Sequence, residues 1–91
     1  MRFTWDPRKA KANVRLHGVS FDEAVTAFDD PEGRMEFDQL HSDDEDRFWL
    51  LARSDKDRSL MISFCYRGDD VIRIISARKA SHSKTLAYLN R

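Results

Sequence analysis

Val71-Ile72-Arg73-Ile74-Ile75-Ser76-Ala77 is a β-branched run broken by a single arginine. Valine and isoleucine are stiff at χ1 and pack well on a pleated surface, so the run predicts a strand. Working back toward the N-terminus, Arg67-Gly68-Asp69-Asp70 is a turn, and Ser59 to Tyr66 is a second apolar strand. Ser54-Asp55-Lys56-Asp57 is another turn, and Arg47 to Arg53 encloses Phe48-Trp49-Leu50-Leu51-Ala52, a mostly buried strand. Arg34 to Leu40 sets Met35, Phe37 and Gln39 against Glu36, Asp38 and Leu40, a weak edge-strand pattern. Strands joined in series by short turns predict an antiparallel meander of about four strands.

Toward the N-terminus the period changes. Phe3-Thr4-Trp5 predicts a short first strand. Asp6 can cap a helix whose first position suits Pro7, and Gly18 suits its end. Ala10, Val14 and His17 recur at helical spacing between them. Ser20-Phe21-Asp22-Glu23 forms a capping box, with Val19 and Ala24 placed as a hydrophobic staple. Phe21, Ala24, Val25 and Phe28 make the stripe of that second helix, and Asp29-Asp30-Pro31-Glu32-Gly33 ends it. Beyond the meander, Ser81 to Asn90 predicts a C-terminal helix docked by Leu86 and Leu89. The expected fold is α+β, in the order β-α-α-β-β-β-β-α, as a single domain over residues 1–91 without repeats or linkers.

A chain of 91 residues buries roughly 60–65% of its unfolded surface, so its core is modest. One cysteine, Cys65, leaves no internal disulfide framework, and the opening residues hold no apolar run for a signal peptide; a cytoplasmic location fits. No stretch is apolar enough to cross a bilayer. The net charge of zero hides an asymmetry. Residues 1–15 carry five basic groups and one acid, residues 22–46 eleven acids and only Arg34, and residues 73–91 five basic groups and no acid. If the chain ends meet in space, they form one basic face able to receive a polyanion; otherwise the charges simply solvate a small surface.

No metal or cofactor is expected. Asp43-Asp44-Glu45-Asp46 are consecutive and would not converge on one face, and no histidine pair stands at ligand spacing. Acid–base chemistry on a bound polyanion without a metal requires a proton acceptor, a proton donor and cations on the developing charge. His17, at the end of the first helix, can serve as acid or base, or simply complement the helix dipole. Arg73 must reach water, pair with Asp46 or Glu45, or face a site. Arg78 and Lys79 follow the strand end, where a phosphate could be held, and Arg47 opens its strand beside the acid cluster. Arginine forks match phosphate geometry at any working pH. Lys9 and Lys11 on the first helix can track a polyanion backbone, though a solvated face suffices for Lys11. His41 and His82 read as solvated surface. Trp5, Phe48, Trp49, Phe64 and Tyr66 read as core, and Cys65 as a small buried hydrophobe.

Taken together, Phe3-x-Trp5-Asp6-Pro7-x-Lys9, Asn13, His17-Gly18-Val19-Ser20-Phe21-x-Glu23-Ala24, Glu45-x-Arg47 and Arg73-Ile74-Ile75-Ser76-Ala77-Arg78-Lys79-Ala80 resemble the BrnT toxins in order and spacing. Leu16 stands where a basic residue often precedes the His-Gly pair, and Ala52-Arg53 where a glycine is common. The resemblance implies a RelE-like fold and a metal-independent endoribonuclease that inhibits translation and growth. It also implies neutralisation by a BrnA-type antitoxin, whose DNA-binding domain carries the complex to promoter DNA. The catalytic candidates are then His17, Arg47, Arg73 and Arg78, and the RNA-binding candidates Lys9, Lys11 and Lys79. Two rival readings are a non-catalytic RNA- or protein-binding module derived from the toxin fold and an inactive toxin kept for regulation. Incubation with defined RNA separates them.

Overall fold

A computed structural model describes residues 1–81. The elements run β1 (Arg2–Thr4), α1 (Pro7–His17), α2 (Phe21–Ala27), β2 (Arg34–Phe37), a 3-10 turn (Gln39–His41), β3 (Arg47–Arg53), β4 (Ser59–Tyr66) and β5 (Val71–Lys79). They form a five-stranded sheet in the order β1-β5-β4-β3-β2. Strands β2 to β5 make the antiparallel meander, while β1 lies parallel to the start of β5, with Thr4 opposite Arg73. The architecture is α+β with two helices and a mixed sheet. Parallel neighbours need a long crossover, and everything from α1 to β4 supplies it.

Local signals account for both helices. The Asp6 carboxylate accepts from Arg8 N–H at 2.8 Å ahead of Pro7. Gly18 closes α1 at φ 67°, its N–H reaching the Val14 carbonyl at 2.8 Å. That left-handed conformation costs glycine no Cβ clash. Ser20 accepts from Glu23 N–H at 3.0 Å to open α2.

Three boundaries differ from the sequence expectation. Trp5 leaves β1 and packs edge-on against Phe21, with centroids 5.8 Å apart. The edge strand predicted to Leu40 stops at Phe37, because Asp38 turns the chain by capping the 3-10 turn through Leu40 N–H at 3.2 Å. Strand β5 continues to Lys79. The helix expected over Ser81–Asn90 falls, from residue 82 onward, outside the described residues.

One face of the sheet carries the core: Leu50, Ala52, Leu60, Ile62, Phe64, Ile72, Ile74 and Ala77 pack under Val19, Phe21, Ala24 and Ala27. Phe48 and Trp5 are half-buried against it. Tyr66, read as core, is exposed, stacking its edge on Phe48 and Phe64. A β-bulge decides which β5 side chains face this core. Phe64 pairs with Ile74 but Ser63 pairs with Ser76, so Ile75 has no residue opposite it. The extra residue inverts the alternation. Ala77 turns into the core, and Ser76 and Arg78 turn to the other face.

Two buried polar groups tie the helices to the sheet. Asn13, 5% exposed, donates from Nδ2 to the carbonyls of Val19 (2.8 Å) and Ala77 (2.7 Å) and accepts from Ala77 N–H at 3.1 Å. It occupies the place of a neighbouring strand beside β5, beyond the point where β1 has ended. Glu23 is buried in α2, where its carboxylate accepts from Ser54 Oγ at 2.7 Å and from both Nε (2.9 Å) and Nη2 of Arg58. Arg58 Nη2 also donates to Gly18 O at 3.1 Å. The Arg58 guanidinium holds the Glu23 carboxyl below the usual carboxylate value, against the opposing effect of burial. No helix among the described residues is long and apolar enough to cross a membrane.

Candidate active site

The face of the sheet opposite the core opens into a cavity of about 430 Å³ lined by His17, Asp38, Leu40, His41, Arg47, Trp49, Met61, Ser63, Ile75, Ser76 and Arg78. That volume lies in the range of small-ligand sites. Its walls come from both ends of the chain's charge pattern. His17, exposed at the end of α1, and Ser76 and Arg78 of β5 form one side. On the other stand Arg47 at the start of β3 and the turn carrying Asp38 and His41. The floor is the cross-strand set Trp49, Ser63 and Ser76, whose members pair directly across β3, β4 and β5.

Each predicted residue has a definite place. His17, Arg47 and Arg78 meet in the cavity. Arg78 is exposed, and among the described residues its guanidinium touches Met61 Sδ at 3.8 Å and no acid. Arg47 is half-buried, with Nε 3.9 Å from Glu45 Oε1. Glu45 is more closely engaged by Arg67, at 2.7 Å. Arg73 stands outside the lining. It shares a cross-strand row with Arg47, Cys65 lying between them, and among the described residues it pairs with neither Asp46 nor Glu45. Lys9 and Lys11 are exposed on α1, and Lys79 is exposed at the end of β5. β1 pairs with β5 and α1 packs against it, so the elements that carry the two basic stretches adjoin as far as residue 81. Cys65 is 1% exposed, and burial pushes its thiol up, which disfavours the nucleophilic thiolate.

Sequence reasoning missed part of the lining. His41 was read as solvated surface and Trp49 as core; both line the cavity. His41 Nδ1 lies 2.8 Å from Asp38 Oδ2. An aspartate able to cap a turn, with a histidine three residues on, was the available signal. Among the described residues, no three His, Cys, Asp or Glu side chains gather as a metal-ligand group. Chemically, the cavity offers two guanidinium groups for a phosphate, two imidazoles for proton transfer, and hydroxyls from Ser63 and Ser76.

Residues 5–84 match the family described as the ribonuclease toxin, BrnT, of type II toxin–antitoxin systems. The chain belongs to the BrnT family. It is thus a ribonuclease toxin, and membership in a type II system implies an antitoxin partner. The BrnT fold is visible in coordinates too. The crystal structure of the Brucella abortus ribonuclease toxin BrnT, determined at 1.1 Å, superimposes with a TM-score of 0.62 over 90% of this chain and 99% of that one, at 21% identity. No curated protein sequence matches the chain. In BrnT terms, the motif residues Asn13 and Gly18 build the scaffold of the cavity, and His17, Arg47 and Arg78 line it.

Proposed function

We propose that this BrnT-family toxin cleaves RNA internally and without a metal ion, using the ribose 2′-hydroxyl as nucleophile. Arg47 and Arg78 hold the scissile phosphate and stabilise charge as the pentacoordinate state forms. His17 transfers a proton to the leaving oxygen. Arg73, along the same open face, takes a flanking phosphate, and Lys9, Lys11 and Lys79 guide the RNA backbone. One observation carries this reading: two arginines and a histidine, from three separate elements, converge on a cavity of about 430 Å³. Cleavage of this kind in the cytoplasm inhibits translation and growth.

The finer structural assignments belong to the same proposal. Residues 1–91 act as one RelE-like toxin domain. A BrnA-type antitoxin covers the basic face formed by β1, α1 and β5, excluding RNA by occlusion, and promoter DNA is reached only through that antitoxin.

The test is incubation of purified protein with a defined single-stranded RNA in EDTA. Cleavage leaving 2′,3′-cyclic phosphate ends, and lost when the ribose at the cut site is 2′-deoxy, is the expected result. Activity abolished by EDTA and restored by magnesium would overturn the metal-free mechanism.

A further inference from the structure

Transphosphorylation needs two proton transfers on opposite sides of the phosphorus, one at the attacking 2′-oxygen and one at the leaving 5′-oxygen. The reading above gives the second to His17 and leaves the first without an acceptor. The cavity holds one further imidazole, on the wall facing His17. His17 stands with Ser76 and Arg78 on the β5 side, whereas His41 stands with Asp38 and Arg47 on the β3 side. Strand β4 separates the two walls. Two inter-strand spacings are roughly 10 Å, enough to seat a phosphodiester between them.

We propose that His41 is the general base of the reaction and Asp38 its positioning residue, an inference that rests on the ribonuclease reading. Asp38 Oδ2 lies 2.8 Å from His41 Nδ1. A carboxylate there holds the proton on Nδ1 and leaves the Nε2 lone pair as acceptor. The two side chains are exposed to different degrees, 17% for Asp38 and 64% for His41. The orienting group is sheltered while the working group is open to substrate.

The turn that carries the pair is fastened to the strand that carries Arg47. Asp38 N–H donates to the Arg47 carbonyl at 2.9 Å. Arg47 N–H donates to Ser42 Oγ at 3.0 Å, and the Ser42 hydroxyl donates to the Asp38 carbonyl. Asp38 Oδ1 meanwhile caps Leu40 N–H. Base and phosphate-holding arginine are thereby kept in one rigid unit. The charged and titratable groups around His41 are Asp38 in its own turn, Asp43, Asp44 and Glu45 in the following loop, Arg47 on β3, His17 on α1 and Arg78 on β5.

In the step, His41 Nε2 takes the 2′-hydroxyl proton as O2′ bonds to phosphorus. The P–O5′ bond breaks, and His17 in its protonated form delivers a proton to O5′. The products are a 2′,3′-cyclic phosphate and a 5′-hydroxyl, with no oxidant, reductant or metal consumed.

The experiment compares the full-length wild type with His41→Gln, His41→Ala, Asp38→Asn and Asp38→Glu on one defined RNA under single-turnover conditions. Melting temperature and affinity for the 2′-deoxy analogue are measured in parallel. Asparagine can still cap Leu40 N–H, so Asp38→Asn removes the charge and keeps the turn. The expected loss for His41→Gln is about 10²–10⁴-fold in rate with analogue affinity retained, and added imidazole should restore part of the His41→Ala rate. Asp38→Asn should lose less, and Asp38→Glu should regain part of that loss. The acid limb of the wild-type pH–rate profile should vanish in His41→Gln. If the wild type cleaves and His41→Gln cleaves within about threefold of it with the same acid limb, the base lies elsewhere: the proposal falls and the ribonuclease reading stands. Melting losses that account for the whole rate loss overturn it as well. If the wild type leaves the RNA intact with or without magnesium, both readings fall.

Discussion

The two walls of the cavity are held in place by different means. The α1–β5 wall is fixed by contacts between residues far apart in sequence: Asn13 reaches Ala77, and Arg58 reaches both Glu23 and Gly18. The wall built from residues 38–47 is held by bonds that close within a few residues, from Asp38 to Leu40 and from Ser42 to Arg47. Charge divides in the same way. The basic N-terminal and β5 stretches lie on adjoining elements, and the acid-rich span of residues 22–46 leads into the other wall. One wall therefore depends on the global fold, whereas the other depends on a local turn. Damage to the first should register mainly as lost stability, unless it touches the cavity itself.

The sharpest way to break this contrast is to remove a cationic group from each place. Arg78→Ala and Arg47→Ala should each slow cleavage by about 10²–10³-fold with little change in melting, as follows if each places its charge at the phosphate as proposed. Arg73→Ala, outside the lining, should cost about tenfold or less and mainly flatten the salt dependence of RNA binding. Equal losses from Arg73 and Arg78 would move the reacting phosphate along the sheet.

Next comes Asn13→Ala, which strands the Ala77 N–H and the carbonyls of Ala77 and Val19 without their partner. The expected destabilisation is about 2–4 kcal/mol in urea unfolding. A smaller change would mean that the α1–β5 wall rests on packing alone.

A lesser effect is expected from Glu23→Gln, about 2 kcal/mol near neutral pH. Because the native carboxyl titrates below its ordinary value, its stabilisation is present above the unfolded-state pKa and is lost as pH falls through the lower native one. Wild-type stability should thus drop in acid, below the usual carboxylate range, and the variant should show a shallower drop there in melting measured against pH.

How much of this could be read in the sequence follows the same division. Asp6-Pro7, Gly18 and the Ser20 capping box are local signals, and the helices they predict are present. The β-branched strands are present for the same reason. Arg78 was chosen as a residue near a strand end, but its face was not legible. Strict alternation from Ile72 and Ile74 would have pointed it into the core, and only the bulge at Ile75 turns it to the cavity. A bulge comes from a mismatch between two strands, which no single run of residues displays. His41 was hidden differently: the weak alternation of residues 34–40 extended a strand over the turn that presents it. Parallel pairing of β1 with β5 was likewise invisible, since three residues carry no record of their partner.

The clasp between Asn13 and Ala77 spans 64 positions, and the cavity itself draws on residues from His17 to Arg78. During synthesis, chain from Met1 through β4 can exist while one wall of the cavity is still missing. Closure over such a separation must wait for the distant segment and bears its entropy all at once. A nascent chain paused before β5 therefore carries no assembled cavity.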